Sequence, residues 1–290
     1  MKDPKSEINA ETALYGVMGN PVHHSLSPLI HNAAFNHLKI NAVYLAFQIE
    51  QNFLGLAFEA MRSTGMRGAN ITIPFKEDAV NFIDEIPEDV DRCIGAINTI
   101  VNRDGQLYGY NTDGPGFLIA LKEELGFNPA AKKILVLGAG GAARGAVFAL
   151  ARARADEIFI YNRSVDRAEG LSDYVSGHFP ETEIDVLPDI GLVRDRKPDL
   201  VVNASSLGMK AGDKSPFDLS LLTHKTSVYD LIYSPIETPL LKQAKKLGLS
   251  HANGLGMLAA QAALSFELWT GEKEGVRELM VQELKKCFTS

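Results

Sequence analysis

Lys133-Ile134-Leu135-Val136-Leu137-Gly138-Ala139-Gly140-Gly141-Ala142-Ala143-Arg144 is the stretch that decides the fold. An apolar run ends in a glycine-rich turn, and the turn leads into Gly145-Ala146-Val147-Phe148-Ala149-Leu150, a strong helix former. Strand, tight turn and helix are the context that a dinucleotide-binding fingerprint requires. Gly138 permits the sharp turn, Gly140 lets the backbone approach a pyrophosphate, and Ala143 fills the third small position, where helix and strand pack closely. Gly141 and Ala142 open the helix, whose unpaired N–H groups favour phosphate charge. The run lies mid-chain, so the residues before it must supply a different function.

Working outward, apolar runs at 157–161, 184–187, 200–203 and 227–231 read as the remaining strands of a Rossmann-like unit, with helices between several of them. Three further helices are expected at 238–247, stopped by Gly248, and at 255–269 and 276–288. Before the fingerprint, strands are expected at 15–19, 42–47 and 68–73, the last cut off by Pro74. Ser27-Pro28 reads as an N-cap followed by proline at the first helical position, and 52–63 as a second helix. Runs at 96–101 and 106–110 flank Asn102-Arg103-Asp104-Gly105, a hairpin signal. The expectation is an α/β protein of two domains: an N-terminal open α/β substrate domain with a mixed sheet, and a C-terminal Rossmann-like dinucleotide-binding domain. Asp113-Gly114-Pro115-Gly116 marks the boundary. The segments are 1–112, 113–249 and 250–290, with the last helices packing back on the first domain. Gly114 and Gly116 are candidate hinge residues for closure of a cleft between the domains.

Composition bounds the function. The 290 residues suit two domains better than one core. A net charge of −7 argues against a nucleic-acid surface while leaving room for a local basic pocket. Cys93 and Cys287, the only cysteines, have no metal-ligand spacing and read as reduced thiols of a cytoplasmic protein. No metal site is evident. Met1–Glu7 has no apolar core of the secretory kind. The most apolar long segment, 255–269, carries Gln261, Ser265 and Glu267 and is shorter than the roughly 18 residues of a membrane span. Monomer and homodimer both remain open; the apolar strand at 42–47 is either a dimerising edge or a covered one.

The second Rossmann strand ends at Tyr161-Asn162-Arg163-Ser164, about 24 residues past Gly138. An acid at this place would bind a ribose 2′-hydroxyl and repel a 2′-phosphate. Asn162 and Arg163 stand there instead, and a guanidinium meets a phosphate with paired charge-assisted hydrogen bonds. Arg167 and Arg144 are further candidates. The reading is NADP(H); the alternative is a set of solvated surface arginines.

Three stretches in the first domain look built for a ligand. In Gly19-Asn20-Pro21-Val22-His23-His24-Ser25-Leu26-Ser27-Pro28, two hydroxyls precede a helix N-terminus that favours an anion such as a carboxylate. Ordinary capping would explain Ser27 but not Ser25. In Asn70-Ile71-Thr72-Ile73-Pro74-Phe75-Lys76-Glu77, polar residues end a buried strand and Lys76 follows, either as a site lysine or as a solvated one. Asn98-Thr99 and Asn111-Thr112-Asp113 form the third, with Asp113 either an N-cap or a functional carboxylate. Gln261 lies in an apolar helix where an amide needs a partner, a ligand hydroxyl or a backbone group.

Taken in order, Gly-Asn-Pro-x-x-His-Ser-x-Ser-Pro, Asn-x-Thr-x-Pro-x-Lys, Gly-Ala-x-Asn-Thr, Asn-Thr-Asp-Gly and the glycine loop are followed by Asn162-Arg163-Ser164, Asn203-Ala204-Ser205-Ser206-Leu207-Gly208-Met209 and Asn253-Gly254-Leu255-Gly256-Met257. The whole, from about Tyr15 to about Trp269, resembles the shikimate dehydrogenase family. The resemblance implies reversible reduction of 3-dehydroshikimate to shikimate with NADPH, within aromatic amino-acid biosynthesis. By position it makes Lys76 and Asp113 the catalytic pair. Ser25 and Ser27 become carboxylate ligands, and Thr72, Asn98, Tyr233 and Gln261 become substrate or nicotinamide neighbours. Asn203 and Gly254 join the cofactor-binding set. The rival readings are a quinate/shikimate dehydrogenase using NAD or NADP, and a non-catalytic NADP-binding sensor.

Overall fold

The computed structural model describes residues 8–222 and 225–288; the reading of Met1–Glu7 lies outside them. The chain divides into two units, one running to Thr112 and resuming at Ala259, the other Asp113–Leu258. Among the described residues, no helix is long and apolar enough to cross a membrane.

In the first unit, β1 (Ala13–Gly19), β2 (Ala42–Gln48), β3 (Gly68–Ile71), β4 (Thr99–Arg103) and β5 (Gln106–Tyr110) form a sheet in the order β2-β1-β3-β4-β5. β1 runs parallel to β2 and β3, while β4 is antiparallel to both β3 and β5, so the sheet is mixed. The β4–β5 hairpin turns on Asp104 and Gly105, both at positive φ, which is the twist a tight hairpin needs. β2 is an edge strand. β3 ends at Ile71, so Thr72 and Ile73 belong to the loop after it rather than to the strand.

α1 (Ser27–Leu38) packs on β1 and β2, and α2 (Leu54–Ser63) presents Leu54, Phe58 and Met61 to the core. Phe58, Met61, Ile71, Phe75, Ile97 and Ile100 are almost wholly buried in one cluster, each contributing about 1.5–3 kcal/mol by removal from water. The α10 helix (Val276–Lys286) packs against α1. Trp269, near the end of α9 (Leu255–Thr270), donates its indole N–H to the Ile100 carbonyl at 2.9 Å. A Cβ at Gly68 would come within 2.3 Å of that nitrogen, so the strand must carry glycine there.

In the second unit, β6 (Lys133–Leu137), β7 (Glu157–Tyr161), β8 (Glu183–Val186), β9 (Leu200–Asn203), β10 (Ser227–Asp230) and β11 (His251–Ala252) form a parallel sheet ordered β11-β10-β9-β6-β7-β8. Ile134, Leu135 and Val136 are fully buried, as expected of a central parallel strand covered on both faces. α5 (Gly141–Arg152) follows β6 directly, and α4 (Asp113–Leu125) packs beside it.

One expectation changes. The break placed at 249/250 moves to 258/259. β11 adds to the second sheet, and the Gly254 N–H bonds the Ile232 carbonyl at 3.1 Å, which ties this segment to the end of β10. Gly114 and Gly116 follow directly on the division at Thr112/Asp113. They lie in the first turn of α4, buried, and neither has positive φ. Pro115 is tolerated there because first-turn N–H groups have no helical partner anyway.

Candidate active site

Each sheet reverses its strand order once, and the carboxyl ends of the strands flanking such a point form a crevice for ligands. In the second unit the point lies between β6 and β9. A cavity of about 230 Å³ opens there, lined by Leu137, Gly138, Gly140, Asn162, Arg163 and Ser205 among others. Gly138 has φ +117°, and a Cβ on it would meet the Ala204 carbonyl oxygen at 3.0 Å. Gly140 is the N-cap of α5 and offers no side chain, and a Cβ on it would meet nothing within 4 Å. The helix start therefore presents bare backbone to the cavity, a cradle for an anion. Gly141 and Ala142 are exposed in the first turn, whereas Ala143 is fully buried where the helix meets the sheet.

The residues that line the cavity suit the phosphates of a dinucleotide carrying a 2′-phosphate. Arg163 is exposed on its wall, and no carboxylate is among the residues that line it. Asn162 donates to the Ser164 carbonyl at 2.9 Å, which folds the turn after β7. Arg167 and Arg144 are not among the lining residues; the Arg144 guanidinium lies 4.6 Å over the Tyr174 ring. Asn203 is fully buried and works from behind the wall. Its Oδ1 accepts from the Ser205 N–H and hydroxyl at 3.1 and 2.7 Å, and its Nδ2 donates to the Leu207 carbonyl at 3.1 Å and to Asp230 at 2.9 Å. Gly254 answers a packing demand, since a Cβ there would come within 2.1 Å of the Leu231 carbonyl oxygen.

Asp230 had no role in the sequence reading. It is fully buried and accepts from Asn203, from the Ile232 N–H at 3.1 Å and from the Thr238 hydroxyl at 2.6 Å. Burial pushes its carboxyl up to about 6, against the pull of those donors. It thereby holds the segment carrying Tyr233, whose own half-buried phenol is raised by burial.

In the first unit the reversal lies between β1 and β3. Ser25 and Ser27 follow β1, and Thr72 and Lys76 follow β3. The two loops are joined: the Asn20 N–H bonds the Ile73 carbonyl at 2.9 Å, and a Cβ on Gly19 would strike the Thr72 methyl. The Lys76 carbonyl accepts from the Ile97 N–H at 2.9 Å, and the Asn98 carbonyl accepts from the Ile71 N–H at 2.8 Å. The backbone of Lys76 is thus fixed beside that of Asn98.

Ser27 is not the N-cap that spacing suggested. Leu26 is the N-cap of α1 and Ser27 its first residue; the Ser25 hydroxyl oxygen accepts from the Ser27 N–H at 3.2 Å. Behind the loops runs a buried polar network. Asn98 is 2% exposed and donates to the Thr112 hydroxyl at 2.9 Å and to Gln261 Oε1 at 3.3 Å. The Gln261 side chain thus has one partner in Asn98. Asn70 Nδ2 donates to the Asn98 carbonyl, Thr99 Oγ1 and Ser265 Oγ. Ser265 was overlooked, although it sits four residues after Gln261 on α9 and hence on the same helix face. Asp113 is the first residue of α4, immediately after Thr112.

Three family models match the chain: "Shikimate dehydrogenase substrate binding domain" over residues 17–100, "Shikimate / quinate 5-dehydrogenase" over 120–204, and "Shikimate 5'-dehydrogenase C-terminal domain" over 254–285. Among curated relatives, the shikimate dehydrogenase (NADP(+)) of Methanopyrus kandleri is 43% identical over 290 residues, covering 96% of this chain and 98% of that protein. Of solved structures, shikimate dehydrogenase from Aquifex aeolicus matches with a TM-score of 0.86 at 41% identity, covering 95% of this chain and 99% of the other. Shikimate 5-dehydrogenase from Thermus thermophilus, in complex with NADP(H) and shikimate, matches with a TM-score of 0.85 at 35% identity over 95% and 99% of the two chains.

Proposed function

Because the chain belongs to the shikimate dehydrogenase family, we propose that it catalyses the reversible NADPH-dependent reduction of 3-dehydroshikimate to shikimate, a step of aromatic amino-acid biosynthesis. One observation carries the reading. The strand-order reversal of the first sheet gathers two serines at a helix start, Thr72 and Lys76 after β3, and Asn98 with its partners, while that of the second sheet presents a bare helix start beside Arg163.

The residues divide the work by chemistry. Ser25, Ser27 and the start of α1 bind the substrate carboxylate. Thr72, Asn98 and Gln261 recognise ring hydroxyls, with Tyr233 lining the nicotinamide end. Gly138, Gly140, Gly141 and Ala142 receive the pyrophosphate, and Arg163, with Asn162, takes the 2′-phosphate. Ala143, Asn203 and Gly254 support that binding through packing and loop geometry, and Arg167 adds positive charge one turn into the helix after Arg163.

The dihydronicotinamide supplies the hydride that reduces the ketone carbon. Negative charge then develops on the carbonyl oxygen, and Lys76 gives its ammonium proton to that oxygen, completing the alcohol. Asp113 orients the ammonium and a ring hydroxyl and shares the proton. In the oxidative direction Lys76 takes the proton back. Cys93 and Cys287 are free thiols, which suits a reducing compartment and supports a cytoplasmic location.

Incubation of the chain with 3-dehydroshikimate and NADPH tests the reading, followed by loss of dihydronicotinamide absorbance. Turnover to shikimate is expected. Tight NADPH binding with no turnover would place the chain with the non-catalytic sensors.

A further inference from the structure

Asn111 and Thr112 are the two residues that join β5 to α4, and both are buried. Backbone in a buried link must find its hydrogen bonds outside the ladder and the helix that it connects. Much of what it needs comes from one stretch of chain. Asp91, in the first turn of α3 (Asp89–Ile94), is only 5% exposed, and its Oδ2 accepts from the Asn111 N–H at 2.8 Å. The Asn111 side chain donates Nδ2 to the carbonyl of Ala96, just past the end of α3, at 2.9 Å. Asn111 is therefore gripped at main chain and side chain by the same segment. That segment is itself moored: Arg92 Nε donates to the Ile86 carbonyl at 2.7 Å, and Gly95, at φ +64°, turns the chain from α3 into Ala96.

The residues that follow hold the backbone of Lys76 as well. The Ile97 N–H bonds the Lys76 carbonyl at 2.9 Å, and the Asn98 N–H bonds the Tyr110 carbonyl at 3.1 Å. Ala96, Ile97 and Asn98 thus put Lys76 and the link before Asp113 in one frame. Within that frame Asp91 has a separate task. A peptide group is a rigid plane. The plane between Tyr110 and Asn111 is held by its carbonyl at Asn98 and by its N–H at Asp91. The next plane is held by the Thr112 N–H at Asn98 Oδ1. Without Asp91 the first of these planes keeps one hold and can tilt, and the tilt passes down the chain to Asp113.

We propose that Asp91 is a positioning residue for the reaction: by holding the Asn111 N–H it fixes the direction in which the chain delivers Asp113, in register with Lys76. This rests on the reading of Lys76 and Asp113 as the catalytic pair. An acid in the first turn of a helix is favourable in any case, and a buried N–H needs an acceptor in any case. Those two demands concern stability, and they hold whatever residue stands at position 113. Positioning is different, because it costs turnover only while the Asp113 carboxyl is there to be misplaced. A misplacement on the order of 1 Å can lower a rate by up to about 100-fold.

The test follows steady-state oxidation of shikimate by NADP in Asp91→Ala, Asp91→Asn, Asp113→Asn and the double variant Asp91→Ala with Asp113→Asn. Asp91→Ala is expected to lower kcat about 10-fold and to leave KM for NADP within about twofold. Asp91→Asn still offers an oxygen to the Asn111 N–H, so its kcat should lie within about twofold of the parent's. In the Asp113→Asn background, Asp91→Ala should change kcat by less than about twofold, while its cost to the urea midpoint persists. Parental kcat in Asp91→Ala would overturn the proposal. So would an equal loss in both backgrounds, the mark of general loosening, or a failure of Asp91→Asn to recover turnover. An Asp113→Asn variant with parental kcat would instead sink the reading of Asp113 on which the proposal rests. Should Asp91→Ala not fold, Asp91→Leu fills the space and offers no acceptor; the same loss of kcat is expected of it, and parental kcat would overturn the proposal.

Discussion

Asn98 grips Thr112 from two sides: its Nδ2 donates to the Thr112 hydroxyl at 2.9 Å, and its Oδ1 accepts the Thr112 N–H at 2.8 Å. Thr112 is the last residue before α4, so a side chain of the proposed substrate site fixes the peptide from which Asp113 departs. The grip is buried on both sides, where an unmade hydrogen bond costs more than an exposed one.

Thr112→Val removes the hydroxyl and keeps the shape. Asn98 Oδ1 retains the backbone N–H and Thr99, and Nδ2 retains Gln261. The loss should be about 1–2 kcal/mol of unfolding free energy, measured as a lower urea midpoint at unchanged slope. An unchanged midpoint would mean that the hydroxyl contributes nothing to the network.

Lys76 and Ser25 should separate kinetically. Lys76→Ala should lower kcat several hundred-fold, on the order of 3–4 kcal/mol in the barrier, because its proton is needed as charge develops. Ser25→Ala should act mainly on KM for shikimate, since a carboxylate is bound alike in ground and transition states. A near-normal kcat in Lys76→Ala removes that lysine from the chemistry.

Arg163→Ala should raise KM for NADP by about 10- to 100-fold, the worth of a lost charge-assisted pair, and leave the rate with NAD unchanged. Equal losses with both cofactors would show that Arg163 supports the turn rather than the 2′-phosphate.

Two buried groups give opposite pH responses. His31 has no partner at either ring nitrogen, and burial lowers it from 6.5 to about 3. Its stabilising contribution is complete above pH 6.5 and is lost as the pH falls toward 3, on the order of 5 kcal/mol in all. Asp230 is raised from 3.8 to about 6, so its contribution is complete below pH 3.8 and is lost as the pH rises through 6, on the order of 3 kcal/mol. Relative to the parent, His31→Phe should therefore gain stability below pH 6.5, and Asp230→Asn should gain it between pH 3.8 and 6. Parallel denaturation profiles for parent and variant at either position would refute the burial argument there.

The strands and the glycine loop were legible because their causes are local: an apolar run, a turn residue, a helix former within a dozen positions. Gly138 could be read from its neighbours alone. The polar network was not legible, because its bonds join residues remote in sequence; Asn70 and Ser265 are 195 positions apart. The N-cap of α1 was misplaced at Ser27, since spacing shows that a hydroxyl precedes a helix but not which of two takes the N–H. Gln261 was singled out as an amide needing a partner; its Oε1 accepts from Asn98, 163 positions away in sequence.

Initial rates with shikimate and with quinate, each paired with NADP and with NAD, test the central claim most directly. The account predicts rapid reduction of NADP with shikimate and at most weak rates in the other three pairings. Preference for quinate, or for NAD, would contradict the reading of Arg163 and of the first-unit site together.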